Sequence, residues 1–236
     1  MFLGYKRYPF RCVANFRDLG GYPAGGRAVT RYGVFFRCAH LGDACAEDIQ
    51  LLRRLGVRRI LDLRYPEDLA RVPDATSRLP DFETLNISLM GDVSPAQIDV
   101  NAGEEDTLTL RGMYRQMLEH GGSALVSAVR ALVEAPGGAA FHCFNGKDRT
   151  GMLAMFLLSA AGVANCDIVA DYEVSHTYIE HCTDDISGSH YKNMKWTLQY
   201  LQEQYGSPTG YLLANGLSPE TLAALRSRLV MPLPPL

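Results

Sequence analysis

Residues 150–162, "TGMLAMFLLSAAG", are apolar on nearly every side of the helix they would form. A helix without a polar face must be covered on most of its surface, so it belongs at the centre of the fold. The short apolar run "AAFH", residues 139–142, precedes it and reads as a strand starting after the break at "APGG". Between strand and helix lies "CFNGKDR", residues 143–149. Any fold for this chain is therefore built around one strand, one tight loop and one buried helix. The chain has 236 residues, 47% of them hydrophobic, enough to cover such a centre.

Other segments supply the surrounding layers. Val34 to Phe36 reads as a strand. In "GDACAEDIQLLRRLG", Asp43 is the expected N-cap, Ile49, Leu51, Leu52 and Leu55 form a helical stripe, and Gly56 stands where a left-handed C′ residue belongs. "VRRILDLR" follows as a buried strand with polar Asp62 and Arg64 at its end. Leu125, Val126, Val129, Leu132 and Val133 mark a further helix. More helices are expected at 165–181, 189–204 and 218–230, with Trp196, Leu198 and Leu201 facing inward, and a frayed "PLPPL" tail. Residues 90–107 are polar and aperiodic, the pattern of a lid or binding insertion. The order predicts an α/β fold with a central mixed sheet flanked by helices and extra C-terminal helices, in one domain over 1–236.

Charge and cysteine usage narrow the function. The net charge is -3 without a basic block, which argues against a nucleic-acid partner. The N-terminal "MFLGYKRYPFRCVANF" lacks the apolar core of a signal peptide, and no run of about 18 apolar residues occurs. A soluble, cytoplasmic chain without integral membrane contact is expected. Cys12, Cys38, Cys45, Cys143, Cys166 and Cys182 show no C-x-x-C or disulfide spacing. All but Cys143 read as small core residues.

The loop is not a Walker A loop, because Phe141 occupies the position of its first glycine. What a strand-to-helix loop does supply is backbone amides and a helix N-terminus aimed at one point, a cradle for an anion. Phe144, Asn145, Gly146, Lys147, Asp148 and Arg149 make up this cradle; Gly146 permits its curvature and Arg149 adds a fork matching two phosphate oxygens. Cys143 faces the same point, and the same positive field favours its thiolate. Attack of that thiolate on phosphorus gives a cysteinyl-phosphate that water hydrolyses, a phosphate ester hydrolysis needing no metal and no cofactor. Thr150 is placed to hydrogen-bond the departing sulfur, and His142 to orient the loop from beneath.

Written "HCFNGKDRTG", the H-C-x5-R-T pattern resembles the signature of the cysteine-dependent protein tyrosine phosphatase superfamily. Its G-K-D-R-T-G form is similar to a bacterial and fungal branch with dual-specificity or phosphoinositide activity. "NFRDLGG" at 15–21, "FRC" at 36–38, "DLR" at 62–64 and "DYEVSH" at 171–176 extend the likeness, with Cys38 where the branch usually has Ser. The resemblance implies a phosphatase fold and, as substrate, a phosphorylated protein, a phosphoinositide or an inositol phosphate. It also implies that Asn15, Arg17, Asp18 and Arg64 form a polar scaffold behind the loop and that Asp171 is structural.

The general acid has three candidates. Asp62 ranks first and Asp148 second, because the branch keeps carboxylates at both places; Asp106 lies in the 90–107 insertion. Two rival readings share the anion loop: a phosphate-binding pseudophosphatase, and another cysteine enzyme of the rhodanese or arsenate reductase kind. The presence of both Cys143 and Arg149 disfavours the first, and Arg149 followed by Thr150 disfavours the second.

Overall fold

The computed structural model describes residues 6–90, 110–179 and 190–233. Five strands form the main sheet in the order β1 (Arg17–Asp18), β3 (Phe35–Cys38), β6 (Gly138–His142), β4 (Val57–Asp62) and β5 (Glu83–Asn86). The β1–β3 pair is antiparallel and the other pairs are parallel, so the sheet is mixed as expected. A second, two-stranded sheet pairs β2 (Ala28–Thr30) with β7 (Val230–Pro232). The helices are α1 (Ala46–Arg54), α2 (Pro66–Arg71), α3 (Arg111–His120), α4 (Gly122–Val133), α5 (Asp148–Ala160), α6 (Asn165–Glu173), α7 (Ser175–Tyr178), α8 (Tyr191–Tyr205), α9 (Pro208–Ala214) and α10 (Pro219–Leu229).

Alternation along the strands divides the core between two faces, because successive side chains of a strand point to opposite sides. Phe35, Leu61, Ala139 and Phe141 join the larger cluster with α3, α4, α5 and the C-terminal helices. Phe36, Cys38, Ile60 and Ala140 join a smaller cluster with α1 and the segment around Tyr8 to Phe16. A sheet covered on both faces explains the near-continuous apolar runs of β4 and β6. Helix α5 lies at the centre, with all but three of its residues buried. Gly56, at φ +74°, ends α1 in the left-handed conformation.

Some expectations shift. The N-cap of α1 is Cys45, not Asp43. The helix read as 165–181 breaks into α6 and α7 at Val174, and α8 runs over 191–205. Leu198 and Leu201 are buried, whereas Trp196 is only partly so. The tail is not frayed from its start, since Pro232 pairs with Ala28. Cys38 and Cys143 are buried, but Cys12 and Cys166 are exposed and Cys45 is half-exposed, so the core reading fails for those three. The 90–107 insertion, apart from Met90, together with Asp106 and Cys182, lies outside the described residues. Among the described residues no helix is long and apolar enough to cross a membrane.

Register fixes where a site can form. Cys38, His142, Asp62 and Asn86 are Cα partners across the parallel strands, so four carboxyl ends line up in one row. The loop after β6 leaves from the interior of that row, where open α/β sheets place their ligands.

Candidate active site

The loop turns at Gly146, whose φ of +66° suits glycine. A Cβ there would run into the carbonyl of Cys38, so the loop can pass β3 this closely only with glycine. The Phe144 carbonyl accepts from the His40 amide at 2.9 Å. Asn15 holds the next part: its Nδ2 donates to the carbonyls of Asn145 and Gly146, both at 3.0 Å. Asn15 is itself left-handed, at φ +60°, a conformation that Asn tolerates better than most residues.

A buried ion cluster stands behind these contacts. Arg37 Nη2 donates to the carbonyls of Gly146 at 2.8 Å and Lys147 at 3.2 Å, while its Nη1 meets Asp171 at 2.6 Å. Arg17 binds the other Asp171 oxygen at 3.0 Å, reaches Ser175 at 2.8 Å, and donates to the Asn15 side chain. Burial would raise the pKa of Asp171, but the two guanidinium groups override it and hold the carboxyl below the usual range. Asp171 is thus structural, as the sequence implies, and Arg17 acts on the loop through Asn15. Asp18 does something different: it accepts from the amides of Gly20 at 2.7 Å and Gly33 at 2.8 Å, fixing the turns around β2.

A second buried cluster lies under Cys143. His142 faces the Cys143 carbonyl through Nδ1 at 3.1 Å and Asp74 Oδ2 through Nε2 at 2.9 Å. Both partners accept, so the imidazolium, with two donors, satisfies both. Burial lowers the pKa of His142, but Asp74 and Asp62 outweigh it and the net shift is upward. Burial raises Asp74, and His142 and Arg64 pull it below the ordinary range. Arg64 grips Asp62 through Nε and Nη2, at 2.7 Å for the closest contact, and Asp74 at 3.0 Å. Asp62, Arg64, Asp74 and His142 are all essentially shielded from solvent.

The front of the loop is arranged differently. Burial pushes the Cys143 thiol up, but Arg149 and the hydroxyl and amide of Thr150 reverse this, leaving its pKa below that of an ordinary thiol. Among the described residues the Thr150 hydroxyl reaches no partner with full hydrogen-bond geometry, yet it is close enough to the sulfur to favour the thiolate. Arg149 Nη1 is buried and has no partner among the described residues, and its Cζ sits 5.5 Å from the centre of the Tyr65 ring. Asp148 opens α5, its Oδ1 accepts from Tyr114 at 2.7 Å, and its Oδ2 lies 3.7 Å from Lys147 Nζ. Asp148 stays partly exposed, with 24% of its side chain accessible, whereas Lys147 is buried. Phe144 and Asn145 are exposed on the rim.

The structure therefore gathers Cys143, His142, Asp148, Arg149 and Thr150 around one loop, with Asn15, Arg17 and Arg64 behind it. Sequence reading missed Asp74, Tyr114 and the role of Arg37. Tyr114, Met117 and Leu118 do carry the spacing of a helix face, and Arg37 lies inside the quoted "FRC". Asp74 sits in an irregular segment after α2 and carries no local signal. A buried Cys38 thiol, raised well above its usual pKa by burial, stands where a hydroxyl was implied.

Residues 8–231 match the sequence model of the tyrosine phosphatase family. The chain is 31% identical over 219 residues to a tyrosine-protein phosphatase of Nostoc commune, covering 83% of this chain and 74% of that one. It is 25% identical over 271 residues to the triple specificity protein phosphatase PtpB of Mycobacterium tuberculosis, covering 92% and 96% respectively. Among solved structures, P. aeruginosa TpbA in complex with pTyr aligns over 90% of this chain and 99% of that chain, at 16% identity and a TM-score of 0.44.

Proposed function

The chain belongs to the tyrosine phosphatase family and is a phosphatase, and we propose that Cys143 is its nucleophile, Arg149 its phosphate clamp and Asp148 its general acid. The observation that carries this reading is the lowered pKa of a buried cysteine beside an arginine whose Nη1 has no partner among the described residues.

The sulfur of Cys143 attacks phosphorus in line with the ester oxygen. The Arg149 fork and the loop amides take up charge on the three equatorial oxygens, most strongly in the transition state. Asp148 gives its proton to the leaving oxygen, then accepts one from the water that attacks the phosphocysteine. Tyr114 holds Oδ1 of Asp148, and Oδ2, 3.7 Å from Lys147 Nζ, is the oxygen that carries the proton. In the second step the sulfur departs as a thiolate, stabilised by Thr150 and Arg149.

This reverses the order read from sequence, in which Asp62 came first. Both carboxylate oxygens of Asp62 are bound by Arg64 in a site shielded from solvent, so its fit is that of a support for the loop. Asp148 is on the loop itself and partly open.

As substrates we infer phosphate monoesters of tyrosine and of inositol lipids or inositol phosphates, handled by one domain. The resemblance of the G-K-D-R-T-G loop supports this range, as does a relative whose name records triple specificity. A panel of a phosphotyrosine peptide, a phosphatidylinositol phosphate and p-nitrophenyl phosphate tests it. Turnover is expected on the first two as well as the third. Cys143→Ser should abolish turnover on all three while phosphate still binds; a Cys143→Ser protein that turns over would end the nucleophile assignment.

A further inference from the structure

Two free cysteines meet at the first turn of α1, away from the loop. The amides of Arg11 and Cys12 donate to Asp48 Oδ1 at 2.8 Å and Oδ2 at 2.9 Å, which fastens the backbone of Cys12 to this helix. Cys45 is the N-cap of the same helix. The two sulfurs and a carboxylate oxygen of Asp48 all lie within 4.8 Å of one another. Cys12 is exposed and Cys45 half-exposed, so small molecules in solution can reach the pair.

Two sulfurs and a carboxylate are part of a ligand set for a thiophilic cation. Asp48, however, is buried with both oxygens already accepting from amides, and Glu47, whose side chain reaches Cys45, is paired with Arg11 at 2.9 Å and stands outside the group. A tetrahedral metal site would lack protein ligands that such sites normally have. A disulfide needs only the two sulfurs, brought from contact to about 2.05 Å.

We propose that Cys12 and Cys45 form a reversible disulfide when the protein meets a peroxide. The Cys12 sulfur attacks one peroxide oxygen, the O–O bond breaks, and a sulfenic acid and one water result. The Cys45 sulfur then attacks the Cys12 sulfur, the S–O bond breaks, and the hydroxyl leaves as a second water. Two thiols are oxidised and one peroxide is reduced to two waters. The order of attack follows from accessibility and from Cys45's surroundings. The Asp48 amide lowers the Cys45 pKa, but the side chains of Cys12, Asp48 and Glu47 outweigh it, so Cys45 stays a thiol above the usual pKa. The bond would tie the stretch that carries Asn15 to α1, three residues from the side chain that holds the loop carbonyls.

The test uses the Cys143→Ser protein, so that the active-site sulfur cannot react. It is exposed to a small excess of hydrogen peroxide, alkylated and digested with trypsin without reductant. Trypsin leaves Cys12 on peptide 12–17 and both Cys38 and Cys45 on peptide 38–53, so the Cys45→Ser variant is run beside it. The expected result is a 12–17 to 38–53 link that dithiothreitol reverses and Cys45→Ser abolishes. Closing a loop of this size should also raise the thermal midpoint by about 5 °C. A link that persists in Cys45→Ser, a Cys12 left free or driven to sulfinic acid, or dimers joined through Cys12 would each overturn the proposal. So would zinc protecting both thiols of the untreated protein at micromolar concentration.

Discussion

The two sides of the phosphate loop treat charge in opposite ways. Behind it, Asp62, Asp74 and Asp171 each meet a buried cation, and Arg17, Arg37 and Arg64 each meet a carboxylate. In front, Arg149 Nη1 and the Thr150 hydroxyl lack a well-formed partner among the described residues, and partly exposed Asp148 meets the Tyr114 hydroxyl and, at 3.7 Å, Lys147 Nζ. Buried charges are tolerable only when paired, so the rear serves as a frame of mutually held charges. On the proposed reading the front keeps its donors for charge that develops on a substrate. The loop is thus set in shape before any phosphate arrives, and little reorganisation is left for the reaction itself.

Four substitutions would break or sharpen that contrast. Arg149→Lys keeps the charge but loses the fork, and kcat should fall by about 10²- to 10³-fold, the loss expected for one transition-state donor. Wild-type kinetics in that variant would mean that the front arginine does not face phosphate.

Asp148→Asn should be next, and selective. On inositol phosphate, whose alkoxide needs a proton, the loss should be about 10²-fold; on p-nitrophenyl phosphate, whose phenolate leaves unaided, it should be much smaller. Asp62→Asn, acting from the rear, should reduce both substrates equally. A selective loss in Asp62→Asn instead would restore it as the acid and blur the division between the two sides.

The smallest kinetic change is expected from Asp74→Asn, under about tenfold in kcat, with its main effect on stability: about 3 kcal/mol for removing one partner of a buried pair. The pH dependence gives a sharper reading. Asp74 has a folded pKa below its ordinary 3.8, so its contribution is present above that value and is lost as pH falls through the folded pKa. His142 is raised above its ordinary 6.5, so its contribution is complete below 6.5 and is lost as pH rises through the folded value. Wild type should lose stability at both ends of this window. Thermal midpoints measured across pH should show Asp74→Asn closing the gap to wild type at both ends; a constant offset would mean that the pair is not ionised.

The centre of this fold was legible because it is written locally. An apolar strand, a loop with Gly146 and a helix without a polar face leave few arrangements, and a cysteine with an arginine six positions on has a narrow chemistry. The supports were harder to read because their partners are distant: Arg37 meets Asp171, and His142 meets Asp74, through contacts that no periodicity encodes. Asp62 illustrates the limit. Sequence places it at a strand end beside the loop, which is correct, but only the geometry reveals that Arg64 has claimed both its oxygens. Helix α9 and strand β7, at seven and three residues, are too short for a period to stand out.

The pairing of β2 with β7 sets a timetable for synthesis. Thr30 lies beside Val230, and the Arg31 amide donates to Leu229 at 2.7 Å. A chain leaving the ribosome has every residue of the phosphate loop and its frame outside before β2 meets its partner. The proposed catalytic centre can therefore assemble on the nascent chain, while the β2–β7 pair must wait for α10 to emerge. Contacts this far apart in sequence are slow to form, so this closure is the expected late step of folding.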